Sequence, residues 1–447
     1  MQASTAYVTR LSMERGTADQ KWVALVDVNN FYVSCERAFA PRLRGRPVAV
    51  LSNNDGCVIA RSEEIKALGV EMGTPTFKLK HLVRRYRAVL LSSNYPLYAD
   101  MSRRVNDVLS RFSEWVEPYS IDESFVHLPG FFTDTLKELG QAMEQAVLKE
   151  THLPVGVGIA PSATLAKLAN RQAKKKTQGD RVYLLEADSE ETRNLLMKTP
   201  VGEVWGVGGR LAERLHDLGI TTAWQLREAP EALIRRRFSV TLARIQWELK
   251  GQACRHVHSD DTSRKQLRVS RSFGQATADQ QDLAEALRTH VNRAAEKLRR
   301  QKSCARAMTV FLRTNPFNHD QPQHSDALVW VFEQPTADTA EMLHAANKLL
   351  RRLWRPGYRY HKAGVLLMDL ADQSAEQLTL LEQPEHLARR IRSERLMQVM
   401  DEINRTQGRD TLVMGLNRPQ APWHTKQENR SPAYTTAWRE LPRVAAR

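Results

Sequence analysis

Cysteine is scarce in this chain. Four residues, Cys35, Cys57, Cys254 and Cys304, are scattered over 447 positions, with neither close pairing nor metal-ligand spacing. That argues against a disulfide framework or a structural zinc site and fits a reduced, cytosolic compartment. Long apolar runs are also missing, and none approaches the length that spans a bilayer. The first 21 residues lack the apolar core of a secretory signal and mix Arg and Glu with small polar types, so a loose extension is expected there, with Met13 as an alternative start. Acid is in short supply relative to base. Lys plus Arg total 66 against 51 Asp plus Glu, a net charge of 66 − 51 = +15, and the pI is near 9.8. Such an excess implies a polyanionic partner, nucleic acid first and an acidic membrane surface second. The excess is concentrated, because residues 255–313 hold 13 basic against 6 acidic side chains. No internal repeat of solenoid type is present.

At 447 residues and 42% hydrophobic content the chain can bury several cores. Apolar periodicity predicts a buried strand at 22–28, helices at 59–69 and 80–86, and a strand, turn and strand over 112–128. A helix near 134–149, a strand at 153–159 and a helix from Thr164 to about Lys175 follow. Residues 190–250 read as all-helical, and the polar stretch 252–265 as a linker. Beyond it the order is strand 267–274, helix 281–300, strands 306–314 and 327–333, helix 338–354 and strand 360–370. That β-α-β-β-α-β order is a split βαβ sandwich with one exposed sheet face. One helix at 386–404 and a largely irregular tail complete the chain.

Three carboxylates carry the chemistry. Asp27 closes the apolar run Trp22-Val23-Ala24-Leu25-Val26, and the pair Asp122-Glu123 stands between two strand-like stretches. Carboxylates beside buried strands are costly unless a cation neutralises them. Hard oxygen ligands that leave room for water and phosphate suit two Mg²⁺, which can clamp the attacking and leaving oxygens of a phosphoryl transfer. Strand alternation would send Asp122 and Glu123 to opposite faces, so a hairpin bend has to re-aim them. Phe31-Tyr32, taken as adjacent strand residues, would place one ring in the core and the other in the cleft, where a ring beneath the sugar collides with a 2′-hydroxyl.

Lys66 and Lys167 lie on otherwise apolar helix segments and could reach a triphosphate as point charges. The run Lys174-Lys175-Lys176 reads instead as a solvated helix end. In Val204-Trp205-Gly206-Val207-Gly208-Gly209-Arg210-Leu211, two helices joined by a glycine hairpin would leave free N–H groups for a DNA phosphate, with Gly206 and Gly208 allowing positive φ. This is a helix-hairpin-helix, which grips a backbone without reading sequence.

Taken together, the stretch Asp27–Glu36, Tyr119-Ser120-Ile121-Asp122-Glu123, Val155–Lys167 and the glycine hairpin resemble a Y-family translesion DNA polymerase. Leu51–Arg61, Ser92-Ser93-Asn94-Tyr95, Tyr98-Ala99-Asp100-Met101-Ser102 and Ser270-Arg271-Ser272-Phe273-Gly274 resemble its UmuC branch, and the likeness runs from about Lys21 to Thr436. The resemblance implies a multidomain α+β right hand: a ferredoxin-like palm at 22–31 and 95–184, small fingers at 32–94, and a helical thumb with the helix-hairpin-helix at 185–252. A linker at 253–265 would lead to a little finger at 266–372, with Arg271 on the DNA, and a clamp- and partner-binding tail at 373–447.

By the same resemblance Asp27, Asp122 and Glu123, with the Val28 carbonyl, ligate two Mg²⁺. Tyr32, beside Phe31, is the sugar gate, and Lys66 and Lys167 neutralise the triphosphate. Gln377-Leu378-Thr379-Leu380-Leu381 resembles a sliding-clamp peptide, with Leu381 where an aromatic is common. Implied partners are primer–template DNA, deoxynucleoside triphosphates, a processed UmuD-type dimer and the clamp, with a recombinase filament as a further candidate and no membrane. The implied role is error-prone translesion synthesis in the SOS response, in the cytoplasm and associated with the nucleoid. A non-catalytic DNA-binding scaffold is the rival, and retention of all three acids argues against it. A metal-dependent nuclease is disfavoured by the Phe31-Tyr32 pair. No further acidic triad suggests a proofreading exonuclease.

Overall fold

The structure is a computed structural model that describes residues 21–129, 133–175, 179–254, 264–373, 384–415, 418, 421 and 423–441. The proposed extension before residue 21, most of the linker and the clamp-like segment 377–381 lie outside the described residues. The chain divides into two compact units. One comprises Met1–Ser52, Cys57–Asp260 and Asn429–Arg447, the other Asn53–Gly56 and Asp261–Glu428.

The first unit opens with strand β1 (Lys21–Val28), helix α1 (Phe31–Phe39), and strands β2 (Val48–Leu51) and β3 (Val58–Arg61). Helices α2 (Glu63–Ala67) and α3 (Lys80–Tyr86), strand β4 (Val89–Ser92) and helix α4 (Tyr95–Leu109) follow. Then come β5 (Val116–Pro118), β6 (Glu123–Pro129), α5 (Thr133–Thr151), β7 (Val155–Ala160), α6 (Ala163–Ala173) and β8 (Val182–Leu184). Five helices finish the run: α7 (Glu190–Lys198), α8 (Gly209–His216), α9 (Ala223–Glu228), α10 (Glu231–Arg237) and α11 (Val240–Leu249).

The main sheet has the order β5-β6-β1-β7-β8. Apart from Lys21 and Asp27, its central strand β1 is apolar because both faces are covered. Trp22, Ala24, Val26 and Val28 share a core with Leu97 and Met101 of α4 and Leu136 and Met143 of α5. Val23 and Leu25, pointing the other way, share a second core with Leu165 and Leu168 of α6 and with Leu215, Ile234 and Leu242 from the helical run. A strand's period of two puts Asp27 on this second face, the one covered by α6.

A smaller sheet has the order β3-β2-β4. The expected single helix over 59–69 is instead β3 followed by the short α2. The Ser62 hydroxyl accepts the Ile65 N–H at 3.3 Å and so starts the helix after it, while β-branched Val58 and Ile59 precede that cap in the strand. Phe31 and Tyr32 likewise do not lie on a strand. They open α1, after Asn30 turns the chain in the left-handed conformation (φ 48°).

The second unit contains β9 (Leu267–Thr277), α12 (Gln280–Arg300), β10 (Ser303–Arg313), β11 (Ser325–Thr336), α13 (Thr339–Leu353), β12 (Tyr360–Asp372) and α14 (Pro384–Thr406). The β-α-β-β-α-β order is as expected. Its antiparallel sheet runs β11-β10-β12-β9, with α12 and α13 packed through Leu287, Val291, Leu349 and Leu353 onto Met308, Val310, Leu312 and Val365. No helix of the described residues is long and apolar enough to cross a membrane.

Candidate active site

Register brings two of the three acids together. Asp27 pairs with Glu123 across β6 and with Gly156 across β7, and it is only 6% exposed. Residues directly opposite on one face lie within side-chain reach, so two carboxylates are forced together. Burial drives the Asp27 pKa up to about 7, with Lys174 pulling it back and the neighbouring Glu123 pushing it up. A low-dielectric site and a like charge both disfavour ionisation.

Lysines on and at the end of α6 answer this charge. Lys174 Nζ lies 2.5 Å from Asp27 Oδ2, and Lys167 Nζ donates to both Glu123 oxygens at 3.1 and 2.9 Å. The glycine strand makes this reach possible. A Cβ on Gly158 would come within 2.0 Å of the Asn170 nitrogen and 2.4 Å of the Ala166 oxygen, so only glycine lets α6 lie this close to β7. The Asn170 amide then staples the helix down, donating to the carbonyls of Leu25 (3.1 Å) and Gly156 (2.7 Å). Lys174 corrects the reading of its run as a solvated helix end. The signal was its spacing, since it stands seven residues, two helical turns, beyond Lys167. Lys167 also sits over the rings of Tyr119 (4.5 Å) and Trp205 (5.1 Å), whose indole N–H donates to the Tyr119 hydroxyl at 3.1 Å.

Asp122 occupies the turn before β6. Its carbonyl accepts the Val28 N–H at 2.9 Å, which ties the end of β1 to that turn, and the Ser120 hydroxyl donates to its Oδ1 at 2.5 Å. Its charge is felt by Tyr32 and Cys35 and helps to raise both of their pKa values, after the larger effect of burial. Asp122 therefore borders α1, whereas Glu123 faces α6. Among the described residues no three His, Cys, Asp or Glu side chains form a ready metal cage. Hard oxygens from Asp27 and Glu123, crowded and balanced by lysines, are nonetheless a donor set that suits Mg²⁺.

Phe31 is buried and Tyr32 half-buried. The Tyr32 ring stacks on Tyr98 (centroids 4.4 Å apart, planes at 17°) and meets Tyr95 edge-on at 6.1 Å. Lys66 lies on α2, and its ammonium donates to Asn30 Oδ1 (2.7 Å) and Glu63 Oε1 (2.8 Å). It thereby braces the turn that starts α1.

In the glycine hairpin only Gly206 uses positive φ (92°), while Gly208 is extended at φ −83° as the N-cap of α8. The segment ahead of this turn is a 3₁₀ turn at Val201–Glu203. In the second unit Arg271 is exposed, yet its register partner Ala363 belongs to the helix-covered core; burial lowers the pKa of His290 on α12, and the Arg271 charge adds to that. The sheet face away from the helices has a different basic group. Arg268 and Arg313 sit over the Phe311 ring at 4.5 and 5.5 Å, and both help to depress Lys362, after its partial burial. Exposed Val329 and Val331 share that face.

The impB/mucB/samB family matches residues 26–171, its C-terminal domain 264–380, and the IMS family HHH motif 189–220. A domain of unknown function matches 394–444. The chain is 44% identical to protein UmuC of Salmonella typhimurium over 94% of its own length and 99% of that protein's. It is equally identical to protein ImpB of the same organism, over 94% and 98%. DNA polymerase IV 1 of Bacillus subtilis is 26% identical over 87% of this chain and 91% of that one. Among solved structures, a chimeric Y-family DNA polymerase superposes with a TM-score of 0.61 at 22% identity, covering 78% of this chain and 99% of that chain.

Proposed function

We propose a mechanism from one premise: the chain belongs to the impB/mucB/samB family and is a UmuC-like Y-family DNA polymerase. It carries out template-directed translesion synthesis, and the role we assign it is error-prone synthesis in the SOS response. The observation that carries the catalytic assignment is the pairing of buried Asp27 with Glu123, each held by a lysine. Asp27, Asp122 and Glu123, with the Val28 carbonyl, would hold two Mg²⁺. Ions held there would acidify the primer 3′-hydroxyl and neutralise charge on the triphosphate.

The chain's own residues do the rest. Lys167 and Lys174 stand where negative charge collects and would complement the triphosphate, with Lys66 contributing from α2. Tyr32, supported on Phe31 and Tyr98, would lie beneath the sugar and exclude a 2′-hydroxyl. The α8 N-terminus behind Gly206 and Gly208 would take a DNA phosphate. The Arg268–Arg313–Lys362 face would lie along the duplex, with Arg271 at its border.

We assign the palm to 22–31 and 95–184, the fingers to 32–94, the thumb to 185–252 and the little finger to 266–372. The tail and the segment 377–381 would engage a processed UmuD-type dimer and the clamp, and a recombinase filament would complete the assembly. Primer extension on an abasic template, with and without such a dimer, tests this reading. Nucleotide incorporation opposite the lesion is expected. Duplex binding with no extension on any template would overturn it.

A further inference from the structure

A buried acid that catalysis does not use stands behind the gate. Glu36 on α1 is 1% exposed, and burial raises its pKa, opposed by hydrogen bonds from Tyr98 and Ser431. Both hydroxyls donate to the same oxygen, Tyr98 at 2.7 Å and Ser431 at 3.0 Å. Ser431 comes from the far end of the chain, inside the segment matched as a domain of unknown function.

That segment is held tightly. The Asn429 carbonyl accepts the Ser92 N–H, and the Asn429 N–H donates to the Ser92 hydroxyl, both at 3.0 Å. The buried Asn94 amide, just before α4, donates to the Ser431 hydroxyl (2.9 Å) and to the carbonyls of Ser431 (3.2 Å) and Pro432 (3.1 Å). Tyr434 stacks flat on Phe39, at the end of α1, with centroids 5.0 Å apart. The tail thus ties α1, which carries Tyr32, to α4, which carries Tyr95 and Tyr98.

We infer that the segment Asn429–Tyr434 positions the sugar-selecting ring: Ser431 fixes Glu36, Glu36 fixes the Tyr98 hydroxyl, and the Tyr98 ring supports Tyr32. The inference rests on Tyr32 acting as the gate. A buried carboxylate that loses one of two donors is poorly satisfied, and its neighbours shift to compensate. Tyr98 has its hydroxyl at one end of this relay and its ring face at the other. A change at Ser431 therefore arrives as a displacement of Tyr32. Ser431 is a positioning residue and touches neither substrate nor metal ligand.

The test compares kcat/KM for ribo- and deoxynucleotides in the full-length chain and five variants: Ser431→Ala, Ser431→Thr, Tyr98→Phe, Tyr32→Ala and the double variant Tyr32→Ala/Ser431→Ala. Ser431→Ala is expected to lower sugar discrimination about tenfold, the equivalent of one hydrogen bond to a charged group, with deoxynucleotide kcat/KM held within about twofold. Ser431→Thr should retain the parent ratio, and Tyr98→Phe should reproduce the loss independently of the tail. In the Tyr32→Ala background, Ser431→Ala should add nothing. If Tyr32→Ala admits ribonucleotides while Ser431→Ala and Tyr98→Phe keep the parent ratio, the relay is overturned and the gate stands. An equal fall in ribo- and deoxynucleotide use would reduce Ser431 to a fold contact and also overturn it. An unchanged ratio in Tyr32→Ala would remove the gate itself.

Discussion

Lys174 Nζ stands 2.5 Å from Asp27 Oδ2, so the most deeply placed acid of the site is balanced by a side chain at the end of α6. Asp27 is buried, which weakens screening on its side, whereas the Lys174 side chain is 37% exposed and partly screened by solvent. Replacing Lys174 with Met should raise the Asp27 pKa further. The rising limb of the pH–rate profile should then move to higher pH, with a larger KM for the triphosphate. An unshifted profile with an unchanged KM would remove Lys174 from the site.

Asp27 itself gives a stability prediction. Its carboxyl titrates at about 7 in the fold against 3.8 in the reference state. The folded state thus favours the protonated acid. Without metal, its contribution is intact below the lower value and is lost as pH rises towards the upper one. Asp27→Asn should abolish extension yet raise the metal-free melting temperature near pH ~8, by on the order of a few kcal/mol of stability, with the gain vanishing towards pH ~4. Thermal melts with a chelator present decide this. A variant less stable than the parent at the higher pH would contradict it.

Asp122→Asn isolates the turn acid. Extension should fall by at least about a thousandfold if the charge we assign to metal binding is lost. Duplex affinity should stay within about threefold, because the basic sheet face is untouched. Single-turnover synthesis at the parent rate would show that Asp122 takes no part.

Tyr32→Ala removes the ring stacked on Tyr98. Ribonucleotide incorporation should rise by at least about tenfold relative to deoxynucleotide, read from single-nucleotide insertion kinetics.

The basic sheet face can be tested by salt. Replacing Arg268, Arg313 and Lys362 together with Ala should weaken duplex binding and flatten its logarithmic salt dependence by roughly 2–3, since each phosphate contact contributes about 0.9. Arg271→Ala should have a smaller effect, because its register partner lies in the helix-covered core. A triple variant with the parent slope would place the duplex elsewhere.

Much of this was legible along the chain because it depends on local period. Trp22–Val28 reads as a buried strand, and the β-α-β-β-α-β order of the second unit follows from alternation and helical stripes. The short strands at 48–51, 89–92 and 182–184 carry no strand reading in the sequence, and 59–61 fall within an expected helix. Runs of three or four apolar residues carry too little period to separate strand from helix. Phe31 and Tyr32 were misplaced for a related reason: the turn at Asn30 depends on a backbone conformation that residue type only permits.

The sequence by itself determined the residue types on which the proposed chemistry rests: three acids, a tyrosine and a basic C-terminal half. Only the tertiary structure decided their partners. Register set Asp27 against Glu123, and the close seat of α6 on Gly158 brought Lys174 to Asp27. Chain return placed Ser431 on Glu36, 395 residues away. The physical reason is that periodicity reports which face a side chain takes, whereas the neighbour it meets there depends on how distant segments close over that face.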